Sequence, residues 1–227
     1  MRFCAASDQA LLVYLGEEID YAVHERVRKL LWQLEKEPPS WLENLQPAYT
    51  SLMITFDACR ADHAEVEAAI RKLQQRARAV RTRKSRKIEI PVCYGGEFGP
   101  DLEEVAELCG LQTSQLISLH TSRAYHAYFL GFVPGFAYLG DLPPEIAAPR
   151  LETPRRNVPA GSVGIAGRQT AVYPLASPGG WRLIGRTPKQ MFRSDRRPMA
   201  TICVGDRVKF RAISRKEFLK MEQACRP

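Results

Sequence analysis

Residues 157–181 read NVPAGSVGIAGRQTAVYPLASPGGW. SVGIA (162–166) and QTAVYPL (169–175) are short apolar runs bounded by Gly or Pro, a length that suits strands and is too short for helices. AYHAYFLGF (124–132), WRLIG (181–185) and ATICVGDRVKFRAI (200–213) follow the same pattern on either side. From about residue 121 to 213 the chain therefore reads as an antiparallel barrel or sandwich.

Gly161, Gly164 and Gly167 recur every third residue within this stretch. That spacing leaves little side-chain volume on either face of a strand, so a bulge, a close backbone approach or a ligand is expected. VPGF (133–136) and SPGG (177–180) each carry the Pro-Gly step of a type II turn. A phosphate loop is not indicated: GxxxxGK[ST] and GxGxxG are missing and no Gly precedes a Lys, although the glycine amides could form an anion nest. No complete ATP site is expected on this chain.

Upstream, KIEIPVCYGGEFGPDLEEVAELCGLQTSQLISLH (87–120) opens on strand-like IEIPV. Pro100 and Gly110 mark the start and end of a helix, and Thr113 is placed to cap a second one that delivers His120. In the first third, ALLVYL (10–15) reads as a strand, and Asp20 opens an amphipathic helix carrying Val23, Val27, Leu30, Leu31 and Leu34 until Pro38-Pro39. TSLMITF alternates as a strand with Leu52, Ile54 and Phe56 on one face, and Asp62 with Glu65 forms a capping box for a helix bearing Val66, Ile70 and Leu73. SRKEFLKMEQACR (214–226) predicts a terminal helix.

The net charge of +8 has a local origin: RKLQQRARAVRTRKSRK (71–87) holds nine Lys or Arg and no acid, which leaves about −1 for the rest. With no interleaved aromatics and no binding motif, it reads as a helix end running into a solvated linker, and nucleic acid is not the expected partner. The six cysteines are scattered without CxxC spacing, which predicts reduced, mostly buried side chains and no metal site. No apolar run reaches the ~20 residues of a bilayer span, and the amino terminus lacks a cleavage pattern. A cytoplasmic protein is expected.

His120 is the natural candidate for proton transfer near neutral pH, or else a histidine holding a backbone carbonyl. His24 and His63 fall on exposed-looking helix positions. Arg155, Arg156, Arg182 and Arg186 could clamp a carboxylate or phosphate. Gln169, Tyr173 and Trp181 could bond or stack in a cleft or simply line the barrel. No GxSxG elbow occurs.

LHTSRAYHAYFLGFVPGFAYLGDLP (119–143), TPRRNVPAGSVGIAGRQTAVYP (153–174) and SPGGWRLIGRTP (177–188), in that order, resemble the family that includes the B subunit of 5-oxoprolinase, the sporulation-kinase inhibitor KipI and allophanate hydrolase subunit 1. IPVCYGGEFGPDLEEVA (90–106) and the amino-terminal strands are similar too. Two departures are Ala6-Ser7-Asp8-Gln9-Ala10, where relatives tend to show a Gly-Asp-Ser-like turn, and Ala137, where proline is common.

The resemblance implies an α+β fold: a small N-terminal α+β domain over 1–83 and a cyclophilin-like antiparallel β-barrel domain over 84–227. It implies a hydrolase subunit that opens 5-oxoproline to glutamate at the expense of ATP. Its partners would be a related barrel protein (the C subunit of 5-oxoprolinase, KipA-like) and a third component, the A subunit. Under this resemblance His120 would transfer a proton or bind substrate, and Arg155 and Gln169 would orient a carboxylate or carbonyl. Tyr128, Phe136, Gly161, Gly164, Gly167, Tyr173 and Trp181 would form a substrate or partner cleft. The same motifs also admit an inhibitor of a sensor histidine kinase that grips a helical or proline-containing segment, or a carboxyltransferase subunit.

Overall fold

The computed structural model describes residues 1–76 and 85–225. The chain divides into two compact units, Met1–Lys84 and Ser85–Pro227. Residues 77–84, the centre of the basic stretch, lie outside the described residues, so the linker reading of that stretch does too.

The first unit runs β1 (Arg2–Ser7), β2 (Ala10–Tyr14), α1 (Tyr21–Lys36), β3 (Leu42–Pro47), β4 (Ser51–Phe56) and α2 (His63–Arg76). Its strands form an antiparallel sheet in the order β1-β2-β4-β3. Leu52, Ile54 and Phe56 are fully buried, as alternation requires of a strand with one covered face. The Asp20 carboxylate caps α1 by accepting from the amides of Ala22 (2.7 Å) and Val23 (3.3 Å). The α2 box is reciprocal, Glu65 N–H to Asp62 Oδ1 at 2.8 Å and Asp62 N–H to Glu65 Oε2 at 3.0 Å. Caps of this kind each stabilise by about 1 kcal/mol.

The two helix histidines differ from each other: His24 is not solvent-facing as its position suggested, while His63 is half-buried. His24 is fully buried because it lies three and seven residues before Val27 and Leu31, on the apolar stripe itself. His63 packs edge-on against Phe56, with ring centroids 5.0 Å apart, and its Nε2 lies 2.9 Å from the Ser7 carbonyl.

The second unit contains β5 (Lys87–Tyr94), α3 (Leu102–Leu108), α4 (Thr113–Ser122), β6 (Ala124–Leu130), β7 (Ala137–Gly140), β8 (Arg155–Val158), β9 (Ser162–Ala166), β10 (Gln169–Val172), β11 (Ser177–Gly179), β12 (Arg182–Arg186), β13 (Arg207–Ala212) and α5 (Arg215–Cys225). Seven strands close a barrel in the order β10-β7-β6-β13-β5-β12-β9, and β11 pairs with β8 in a separate two-stranded ribbon. The barrel is mixed rather than wholly antiparallel. β13 enters between β5 and β6 and pairs with β5 in parallel, from Arg207↔Lys87 to Ala212↔Val92. Parallel partners need a long connection, and here it is everything between β5 and β13, residues 95–206, with α3, α4 and the strands β6 to β12.

Val92, Tyr125, Leu139, Val163, Ile165, Val208 and Phe210 fill the interior together with Leu102, Val105 and Leu116 from the helices. Helix α4 is capped one residue earlier than Thr113, by a box in which Gln112 accepts from the Gln115 amide and Gln115 accepts from the Gln112 amide (2.8 Å).

The two Pro-Gly steps part company. VPGF is a type II turn, with Gly135 at φ +85° and the Phe136 amide donating to the Val133 carbonyl at 3.0 Å. SPGG is instead the extended strand β11, and a side chain on Gly179 would collide with the Tyr173 ring. Of Cys4, Cys59, Cys93, Cys109 and Cys203 only Cys93 is buried; Cys4 and Cys59 are exposed, so "mostly buried" does not hold for these. Among the described residues no helix is long and apolar enough to cross a membrane.

Candidate functional site

Alternation along β9 and β10 makes a barrel wall with two different faces. Val163, Ile165 and Val172 point into the barrel core, while Ala166 and Ala171 belong to a second apolar cluster with Phe136, Val158, Tyr173, Trp181 and Leu183. Gly164 shares the outward register of Ala166, so this outer face is floored by small residues. Large rings lie on that floor. Phe136 meets Tyr138, Tyr173 and Trp181 edge-on at 5.0, 5.2 and 5.5 Å between centroids, the arrangement that ring quadrupoles favour.

Between these rings and the β8–β11 ribbon opens a cleft of about 170 Å³ lined by Phe132, Phe136, Tyr138, Arg150, Tyr173 and Trp181, with Leu151, Pro154, Gly179 and Gly180 at its edge. Drug-sized ligands occupy roughly 300–1,000 Å³, so this cleft suits a small ring or one side chain and is too small for a nucleotide. Phe132 stands 58% exposed at its mouth and contacts Phe136 edge-on at 5.5 Å. The Arg150 guanidinium lies 5.9 Å from the Trp181 ring centroid, within cation–π reach. Burial pushes the Tyr173 phenol up, partly offset by a Trp181 backbone hydrogen bond and the charges of Arg150 and Arg155. The phenol is thus a neutral donor at pH 7.

Asp101, immediately before α3, braces this wall. Its Oδ1 pairs with Arg155 Nη2 at 2.5 Å, its Oδ2 accepts from the Leu183 amide at 2.6 Å, and its own amide donates to the Leu183 carbonyl at 2.9 Å. The Nη1 of Arg155 is buried without a hydrogen-bond partner. Arg182 pairs with Glu104 at 2.7 Å and donates to the Pro149 carbonyl at 2.9 Å. The Leu151 amide bonds the Gly180 carbonyl at 2.8 Å, so the loop bearing Arg150 is tied at both ends.

Of the residues expected in a cleft, Phe136, Tyr173 and Trp181 line it, and Gly164 lies beneath it. A side chain on Gly164 would begin 3.1 Å from Trp181 Cβ and 3.6 Å from Tyr173 Cε2, so this glycine makes room for rings of its own chain rather than for a visitor. Gly161 and Gly167 lie outside the cleft at φ +82° and +54°, a backbone that L side chains rarely adopt. Tyr128 lies apart as well, buried edge-on against His126 at 4.8 Å with its hydroxyl donating to Asp141 at 3.2 Å. Gln169 starts β10 in the outward register, opposite Ala166. Arg186 lines a separate groove beside Phe218, and Arg156 is exposed. Sequence reasoning missed Tyr138, Arg150 and Asp101; the alternating AYLG run carried the only signal for Tyr138.

His120 is enclosed. It is fully buried, stacks on Phe210 at 4.5 Å, and has Nδ1 2.7 Å from the Tyr94 hydroxyl and Nε2 3.0 Å from Thr170 Oγ1. Both ring nitrogens are occupied within the barrel, so direct proton transfer to substrate gives way to an internal role. Burial pushes its pKa down to about 3, against about 6.5 in an unfolded chain. The unfolded state therefore takes up a proton first as pH falls. Stability from the neutral ring is complete above pH 6.5 and is lost at ~1.4 kcal/mol per pH unit below it, about 2 kcal/mol by pH 5. Urea denaturation from pH 7 to 5 should show this slope, and His120→Gln should lack it.

Gly164→Val should lower barrel stability by about 2 kcal/mol through overpacking and redshift Trp181 emission as the indole is displaced. Trp32 and Trp41 are first replaced by Phe, leaving Trp181 as the only tryptophan. Unchanged emission would mean the floor yields.

The carboxyltransferase domain family, subdomain C and D, matches residues 1–202. A Bacillus subtilis (strain 168) protein named as the B subunit of 5-oxoprolinase is 43% identical over 222 residues, 93% of this chain and 92% of its own. Among solved structures, PH0987 from Pyrococcus horikoshii is 47% identical, with 96% of this chain and 100% of its own covered and a TM-score of 0.57. TTHA0988 is 33% identical with a TM-score of 0.81; 92% of this chain is covered, and the chain spans 40% of that longer one.

Proposed function

Since the chain belongs to the carboxyltransferase domain family of subdomains C and D, we propose that it is one component of an ATP-dependent 5-oxoprolinase that opens 5-oxoproline to glutamate. The observation that carries this reading is near full-length similarity to a protein named as the B subunit of that enzyme. The cleft is chemically suited to the task. A five-membered lactam is small enough for about 170 Å³, its ring carbons suit the aromatic walls, and its carboxylate pairs with the exposed Arg150. The Tyr173 hydroxyl donates to the lactam oxygen, where negative charge develops as the amide is attacked.

An amide is a poor electrophile, and phosphorylation of its oxygen by ATP would activate it. The sequence contains neither GxxxxGK[ST] nor GxGxxG, and the aromatic cleft, about 170 Å³, is smaller than a nucleotide. In this proposal ATP is bound with the partners, a related barrel protein and a third component, and this chain alone is expected to be inactive. The test is to purify this chain with both partners and assay glutamate and ADP from 5-oxoproline and ATP. Product from the three together, and none from this chain alone, is expected. An assembled complex without product overturns the reading.

A further inference from the structure

The core holds a chain of polar groups whose direction can be worked out from its far end. Thr170 Oγ1 lies 3.0 Å from the Gly164 carbonyl oxygen and 3.0 Å from His120 Nε2. A carbonyl only accepts and a hydroxyl has one proton, so Thr170 donates to Gly164 and must accept from His120. His120 Nε2 then carries the ring's single proton and Nδ1 is bare. The Tyr94 hydroxyl, 2.7 Å away, donates to it. Every proton in the series points the same way, from Tyr94 on β5 through His120 on α4 and Thr170 on β10 to Gly164 on β9.

The last acceptor matters because of what lies on its other side. Gly164 is buried, and a side chain there would begin 3.1 Å from Trp181 Cβ, so the position of this backbone sets how deeply Trp181 and Tyr173 sit. Two further contacts hold the relay in register: the Tyr125 hydroxyl donates to the His120 carbonyl at 2.8 Å, and Phe210 stacks on the imidazole.

We propose that His120 is a positioning residue, held as the Nε2–H tautomer, and that the relay Tyr94–His120–Thr170–Gly164 fixes the β9 backbone from inside the barrel and so sets the depth of the aromatic cleft outside it. The value of a fixed depth rests on the cleft being the working surface proposed above. The relay itself is testable without it.

The experiment uses this chain alone with Trp181 as its only tryptophan. Long-range ¹H–¹⁵N correlation spectra of the histidine rings should show His120 as the Nε2–H tautomer, unchanged between pH 8 and pH 5. Thr170→Val keeps the shape and removes the hydroxyl; it should shift the Trp181 indole N–H resonance and increase acrylamide quenching of its emission. Thr170→Ser should restore both.

An Nδ1–H tautomer overturns the proposal, as does a Thr170→Val chain whose Trp181 signals match the parent or a Thr170→Ser chain that fails to restore them. If Thr170→Val does not fold, the tautomer in the parent decides. A verified relay beside an assembled but inactive complex would leave the relay standing and remove 5-oxoproline from the cleft.

Discussion

Asp101→Ala should lower the stability of the barrel unit by about 3 kcal/mol, the scale for removing one partner of a buried ion pair. Asp101 is 5% exposed; its carboxylate accepts two of its three bonds, and the third, from its backbone amide to the Leu183 carbonyl, survives the substitution. Loss of the carboxylate leaves the Arg155 guanidinium, 30% exposed, without its counter-ion, and strands the Leu183 amide inside the protein. The two costs separate by substitution. Asp101→Asn keeps an acceptor for Leu183 and should lose less, while Arg155→Met in the Asp101→Ala background removes the orphaned charge and should recover part of the loss. Urea denaturation followed by Trp181 fluorescence measures all of these. A loss below ~0.5 kcal/mol, the range of ordinary surface substitutions, would show that water replaces the carboxylate freely.

Trp181→Ala should cost about 4 kcal/mol, near the middle of the range for truncating a buried aromatic side chain. The indole is 5% exposed and covers Gly164 while facing Phe136 and Tyr138. The barrel wall beneath cannot collapse into the gap, because its inner face is packed by Val163 and Ile165. Circular dichroism through thermal unfolding reads the loss, and Trp181→Phe, which keeps a ring against Phe136, should retain most of the stability. Arg150→Ala is the companion test. Arg150 is exposed and should change stability by less than ~0.5 kcal/mol while weakening 5-oxoproline binding to the assembled complex.

Where the physics is local, the sequence was legible. The Asp20 cap and the Asp62–Glu65 box depend on residues three apart, and the Leu52-Ile54-Phe56 alternation depends on residues two apart. Phe136, Tyr173 and Trp181 stood out as large aromatics among Gly and Pro, where a ring has little purpose except against another ring. The rest depended on distance along the chain. Asp101 looks like any helix-opening acid until β8 and β12 arrive beside it, and Arg150 sits in a loop whose course is set by Gly180 and Arg182. Pro-Gly at 178–179 read as a turn because that step usually is one; pairing with β8 held it extended. The three evenly spaced glycines suggested one shared cause. Two answer to a left-handed backbone and the third to the bulk of Trp181, and nothing in the spacing separates the cases. His120 has the chemistry of a proton carrier, which its sequence context shows, but its complete burial depends on strands far along the chain.

The parallel β5–β13 pair sets a schedule for the barrel's formation. β5 is among the first strands of its unit to be made and β13 the last, so the ring cannot close until nearly the whole unit has left the ribosome. Until then the edges of β5 and β6 that β13 will cover expose unpaired amides and carbonyls, the usual template for sticking to another chain. Closure between segments this far apart also carries a large entropic barrier, which places the barrel among the slower folders. A nascent or proteolysed chain ending near residue 202 would keep the family's motifs and the aromatic cleft's residues, yet lack the strand that completes the ring. Its fate would be decided by chaperones and neighbours rather than by its own core.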